Sequence, residues 1–347
     1  MKINNDINPS TNKKKILTVN IDYNSQKKWL VHAIDITEFD KNYNKKNKLY
    51  QIFRLLKVAN NFKIVVFNYD VKLAFWFILL YRLLPFYERN INKIVFIGLL
   101  IDLADFNNKN KSYFFSKIKI LFYIIFVRLP DKIIVHTTKE IELYTNKFKI
   151  FAKNKFIFVP YFSYHLPIKH KKVKKENNKE YVICAGHHRD INTFVKAIEL
   201  LRNYKAHVIG GEGDREDWEN KKIDGIDFYF NLPYKEYRNL IANSSLIVIP
   251  IRNYKPIRSL GLIAAFQAVS LGIPVIASNT FQLKDYFLKD EITYFEAEDK
   301  ISLAKKIRYV LSNENISTQK VNKAIKKLEE EFTFQKYIDN LILICTS

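Results

Sequence analysis

At 347 residues the chain exceeds one ordinary core, so two domains are expected. Its 48% hydrophobic and 15% aromatic content exclude wholesale disorder. The net charge of +22 comes from scattered basic residues rather than one basic arm, which excludes nucleic acid as the expected partner and leaves an anionic membrane surface or an anionic substrate.

Chain order reads as alternating strands and helices. "KKILTVNIDYN" predicts a first strand and "WLVHAIDI" (29–36) a second. "YQIFRLLKVANNF" has helical spacing at Ile52, Leu55, Leu56 and Val58. "KIVVFNYD" reads as a buried strand, "VKLAFWFILLYRLLPFY" as a mostly apolar helix, and "KIVFIGLLIDLADF" as a strand with its carboxyl-end loop. "YFFSKIKILFYIIFVR" is read as an internal helix, or as one resting on a membrane with Lys117, Lys119 and Arg128 toward headgroups. "DKIIVHTTKEIELYTNKFKI" gives a strand and a Thr-capped helix, with His136 just ahead as a satisfied, half-buried histidine. "KFIFVPYF" closes this half, and the polar run 166–180 reads as a linker.

The pattern then restarts with "YVICAG", "INTFVKAIELLRN", "KAHVIGG", "IDFYFN", "PYKEYRNLIANS", "SLIVIPI", "LIAAFQAVSLG" and "IPVIAS". The last parts are "SLAKKIRYVLSN" and a terminal helix, "FTFQKYIDNLILI". Such alternation is the signal of parallel α/β units. The domain expectation is 1–165, a linker 166–180, 181–331, and a helix 332–347 returning to the first domain. No run is long and apolar enough to span a bilayer, no signal peptide is expected, and two cysteines, Cys184 and Cys345, suit a reducing compartment.

Three places could carry chemistry. "AGHHRD" ends a strand in a glycine turn, and Arg189 brings a fork of donors suited to phosphate, although Asp190 could simply cap the next helix. "VIGGEGD" places Gly210, Gly211 and Gly213 directly after a strand, as a ligand loop or a plain flexible one. "SLGLIAAFQAVSLG" starts a helix at Ser259 and Gly261, under Arg252, Lys255 and Arg258, with Gln267 further along it.

Taken in order over about 170 residues, these motifs resemble the C-terminal domain of retaining glycosyltransferases of the GT-B fold, the group typified by bacterial cell-surface polysaccharide enzymes. The resemblance implies an α/β protein of two Rossmann-like, doubly wound domains facing a cleft. It implies that Arg189 stabilises the leaving diphosphate. The implied donor site comprises Gly186, His187, Gly210, Gly211 and Asn231 at strand ends, and Ser259, Leu260, Gly261, Leu262 and Gln267 on the later helix. Gln267 stands where the family has a ribose-binding glutamate, Ser259 where an earlier glutamate is common, and His187 where an arginine follows the turn. Asp102, in "DLAD", is the candidate acceptor-side base.

The function implied is transfer of a sugar, with retention and without a metal or other cofactor, from a UDP- or GDP-linked donor to a glycan or lipid-linked acceptor. The expected location is cytoplasmic, peripheral on the inner face of the membrane. A catalytically inactive binding or scaffold relative is the alternative, raised by Gln267 and Ser259.

Overall fold

A computed structural model describes residues 15–21, 23, 27–40, 42–43, 47–83, 90–99, 113–150, 155–163, 181–253 and 260–347, with 113–116 as backbone alone. The chain divides into two compact units, Met1–Val159 with Gln335–Ser347, and Pro160–Phe334.

The first unit holds a parallel six-stranded sheet: β1 (Ile16–Val19), β2 (Ala33–Asp35), β3 (Ile64–Asn68), β4 (Lys93–Ile97), β5 (Lys132–Val135) and β6 (Phe156–Phe158), in the order β2-β1-β3-β4-β5-β6. Its helices are α1 (Lys27–His32), α2 (Ile36–Phe39), α3 (Lys48–Ala59), α4 (Val71–Leu83), α5 (Tyr113–Phe126) and α6 (Thr138–Phe148). The run 29–36, expected as one strand, splits: α1 takes its first four residues and β2 only the next three. The reason is topological. β2 pairs parallel with β1, so the chain must cross back between them, and the crossover helix consumes the apolar start of the run. The strands β3 to β5 are buried almost throughout, as a sheet covered on both faces requires. α6 opens with a full capping box in which Thr137 accepts from the Glu140 N–H while Glu140 accepts from the Thr137 N–H.

The second unit repeats the plan. Its strands are β7 (Tyr181–Ala185), β8 (Lys205–Gly210), β9 (Ile226–Phe230), β10 (Leu246–Ile249), β11 (Val275–Ser278) and β12 (Thr293–Phe295), ordered β12-β11-β10-β7-β8-β9 and all parallel. The helices are α7 (Ile191–Glu199), α8 (Glu212–Trp218), α9 (Tyr234–Ala242), α10 (Leu262–Ser270), α11 (Lys300–Ser312) and α12 (Glu314–Glu331). Strand order runs outward in both directions from the β7–β10 pair. That pair is the topological switch point, where the crossovers diverge and leave a crevice at the carboxyl ends. The final helix, α13 (Phe334–Thr346), lies mainly in the first unit and buries Tyr337, Ile338 and Leu341.

Two layers sandwich the second sheet. On one side α10, α12 and the segment 281–287 enclose Phe266, Tyr286, Phe287 and Phe332, whose rings meet at centroid distances of 5.1–6.5 Å. On the other, α7 and α11 bury Phe194, Val195, Ile198, Leu303 and Ile307.

Candidate functional site

The site builds from the β7–β10 switch point outward. β7 ends at Ala185, and Gly186 turns the chain at φ +108°, a conformation open to glycine. His188 follows in the left-handed region at φ 60°. The turn closes on β10 through the Asp190 N–H, which donates to Pro250 O at 2.9 Å. Asp190 then caps α7, accepting from the Thr193 N–H (3.3 Å) and hydroxyl (2.6 Å). The capping role foreseen for Asp190 is therefore real, and Arg252 is held on the same carboxylate at 3.2 Å.

Arg189 is thereby folded back over its own strand end. Nε donates to Ala185 O at 2.9 Å and Nη1 to His187 O at 3.0 Å. A Cβ added to Gly186 would meet Nη2 at 2.6 Å, and one added to Gly261 would lie 3.8 Å from the same nitrogen. The guanidinium thus sits between the glycine that ends β7 and the glycine that begins α10. Among the described residues its hydrogen bonds go to carbonyl oxygens and no carboxylate pairs with it. Burial pushes its pKa down, opposed by Cys184, Tyr237 and Asp214 nearby. Arg189 is half-buried, and a partly desolvated cation with no carboxylate bonded to it favours the approach of an anion.

α10 faces the same place. Its N-cap is Gly261, at φ +84°, which has no side chain with which to cap the first turn. The leading N–H groups lie at the positive end of the helix, where an anion is favoured. Leu262 is 1% exposed, so it contributes a backbone N–H while its side chain belongs to the core; Leu260 is half-buried. Gln267 is also 1% exposed, and its Nε2 has no hydrogen-bond partner. Ser259, Lys255, Arg258 and Asp102 lie outside the described residues.

The glycine stretch after β8 behaves differently from a ligand loop. Gly210 ends the strand, Gly211 caps α8, and Gly213 is inside that helix; none of the three has a positive φ. The Gly211 N–H is already taken by the Asp214 carboxylate at 2.9 Å. A Cβ on Gly211 would overlap the His187 ring, so its glycine character serves close packing of the β7 turn on the β8 end. Asn231, in the left-handed region at φ 51°, ends β9 and donates its amide to the Glu212 carboxylate. His187, Gly210, Gly211 and Asn231 thus form one cluster beside the Arg189–Gly261 pair.

Sequence reasoning passed over Tyr237 on α9 and Gln282. Burial raises the Tyr237 phenol and Arg189 draws it back down, which places the two groups within electrostatic reach. Gln282 is fully buried with neither amide atom partnered. Neither residue belongs to a recognisable spacing, so no local signal points to them. His136, expected half-buried, is 6% exposed; Nδ1 bonds Val159 O at 3.0 Å, and burial lowers its pKa to about 4. Among the described residues no group of three or more His, Cys, Asp or Glu is placed to hold a metal.

Two parallel doubly wound sheets, one in each unit, are the arrangement of the GT-B fold. Residues 167–328 match the family model described as glycosyl transferases group 1. A glycosyltransferase from Rickettsia africae superposes with a TM-score of 0.66 at 15% identity, covering 96% of this chain and 98% of that one. Sucrose-phosphate synthase from Thermosynechococcus elongatus gives 0.64 at 14% identity over 87% and 78% of the two chains. Anabaena HepE in complex with UDP gives 0.63 at 10% identity over 96% and 99%. A search of curated proteins gives no match. The chain shares the GT-B fold of these proteins, and its residues 167–328 are similar to the glycosyl transferases group 1.

Proposed function

We propose that the chain transfers a sugar from a nucleoside-diphosphate donor, UDP- or GDP-linked, to a glycan or lipid-linked acceptor of the cell surface, with retention and without a metal. The observation that supports this reading is the Arg189 guanidinium, half-buried, bonded to carbonyls and flanked by Gly186 and the Gly261 start of α10. A diphosphate placed there meets one delocalised cation and a helix N-terminus. Both strengthen as charge gathers on the leaving oxygens, so they favour the transition state over the bound donor.

In this reading Gln267 supplies its buried amide to a ribose hydroxyl, and His187, Gly210, Gly211 and Asn231 form the adjoining wall of the donor site. Ser259 and Leu260 lead into the helix start, and Asp102 acts on the acceptor side. HepE is similar in fold and is known with UDP and with UDP-glucose; a uridine donor is the first to try. The chain works at the cytoplasmic face of a membrane as a peripheral protein.

A thermal-shift panel of UDP, GDP and ADP, on wild type and Arg189→Ala, tests the donor site. A ligand at about 100 times its Kd adds about 2.7 kcal/mol, several degrees in midpoint. A shift with one nucleotide that the variant loses is the expected result. No shift with any nucleotide would remove the reading.

A further inference from the structure

The chain's positive charge is unevenly placed. α3, α4 and α5 bridge β2 to β3, β3 to β4 and β4 to β5, all stepping the same way across the sheet. Right-handed crossovers therefore put all three on one face. α3 packs on α4, and Phe75 of α4 meets Phe122 of α5 at 4.6 Å between ring centroids.

These helices, of 12, 13 and 14 residues, contain no Asp or Glu and carry Lys or Arg in each. The chain holds 35 carboxylates in 347 residues, so this length would ordinarily include several. A composition bias does not explain the gap, because α8 alone has four carboxylates in seven residues. α6, the next helix on that face, ends the acid-free layer with Glu142.

The same layer is apolar where it meets solvent. On α5, Ile118, Leu121 and Ile125 are 49%, 57% and 40% exposed, at spacings of three and four. On α4, Trp76 is 49% and Leu83 65% exposed. On α3, Phe53 is 66% exposed. Exposed Lys57, Lys72, Lys117 and Lys119 stand among them. Large exposed side chains gathered on adjacent helices mark a contact surface, whereas single ones do not. No helix among the described residues is long and apolar enough to cross a membrane.

We infer that the α3–α4–α5 face of the first unit is a docking surface for an anionic lipid bilayer. Its apolar stripe enters the headgroup boundary, Trp76 sits at the interface, and the lysines meet lipid phosphates. Flanking carboxylates hold Lys48, Arg54 and Arg82 (Asp70, Asp40 and Asp131), while exposed Lys57 and Lys72 form no ion pair with a carboxylate among the described residues. That surplus of cations favours lipid phosphate over a second copy of the chain, since two such faces would repel each other. This gives the membrane part of the proposed function a surface, and its test needs no donor.

The test is co-sedimentation of the full chain with vesicles of phosphatidylcholine, alone or mixed with phosphatidylglycerol. Wild type should pellet with the mixed vesicles only, and less at raised salt. Lys57→Ala/Lys72→Ala should lower the partition about 30-fold, at roughly 1 kcal/mol per lysine. Leu121→Glu/Ile125→Glu should abolish it, while both variants keep the wild-type melting profile and nucleotide shift. Wild type that ignores mixed vesicles, or variants that bind as wild type does, would overturn the inference. So would a wild-type dimer that Leu121→Glu/Ile125→Glu converts to monomer. Loss of the nucleotide shift alone would strike the donor reading and leave this one standing.

Discussion

Arg189 is the residue on which the proposed donor site turns, and that role should be separable from simple stability. Charge-assisted bonds contribute about 1.5–3 kcal/mol each, so Arg189→Ala should weaken nucleoside-diphosphate binding roughly 10- to 100-fold by titration calorimetry, while removing a half-buried cation with no bonded carboxylate should leave the unliganded midpoint nearly level. Gln267 offers a sharper choice. If its amide serves a ribose, Gln267→Leu lowers nucleoside-diphosphate affinity about tenfold. If it is only a buried polar group in the core, the same change stabilises the protein and affinity stays put. Gly261→Ala meets both a positive φ and the Ile249 methyl at 2.5 Å, and should cost about 1–3 kcal/mol in chemical denaturation. His136 gives a pH dependence. Its folded pKa of about 4 lies below the ordinary 6.5, so the unfolded chain takes up a proton first. Stability should fall as pH drops through that window and level off below it. His136→Asn should flatten that slope in denaturation curves taken at each pH. Gly186 and Arg189 were singled out through the order of motifs over about 170 residues, because one glycine and one arginine at a strand end are weak evidence alone. Tyr237 was not, because α9 brings it to Arg189 only through the sheet.

At the level of elements, strong periodicity carried through and weak periodicity did not. β3, β7 and β10 are apolar runs buried on both faces, and the sequence announces them. α12 went unread because its buried stripe, Ser317, Val321, Ala324 and Leu328, is narrow and mixed with lysines and glutamates. α8 was hidden by its glycines, which normally disfavour a helix, yet Gly211 is needed under His187 and the Asp214 carboxylate holds the first turn. α12 nonetheless matters for the site, since with Ala324 and Leu328 it backs the α10 core. Leu328→Ala should cost about 2–5 kcal/mol. By loosening α10 it should also reduce nucleotide affinity, which paired melting and binding measurements would show.

For the molecule as a whole, the +22 charge was legible as a total and not as a distribution. Only the crossover order of the first sheet reveals that three acid-free helices share a face. The division into units has a further consequence. The first unit needs residues 335–347, which are synthesised after every residue of the second. α13 fills its seat late, bringing Tyr337 within 6.0 Å of the Tyr23 ring and 6.2 Å of His136. At about 5–20 residues per second, the ribosome keeps that seat empty for roughly ten to forty seconds while the second unit emerges. For that interval the nascent first unit lacks the helix that buries Tyr337, Ile338 and Leu341, and the chain is assembled out of the order in which it is read.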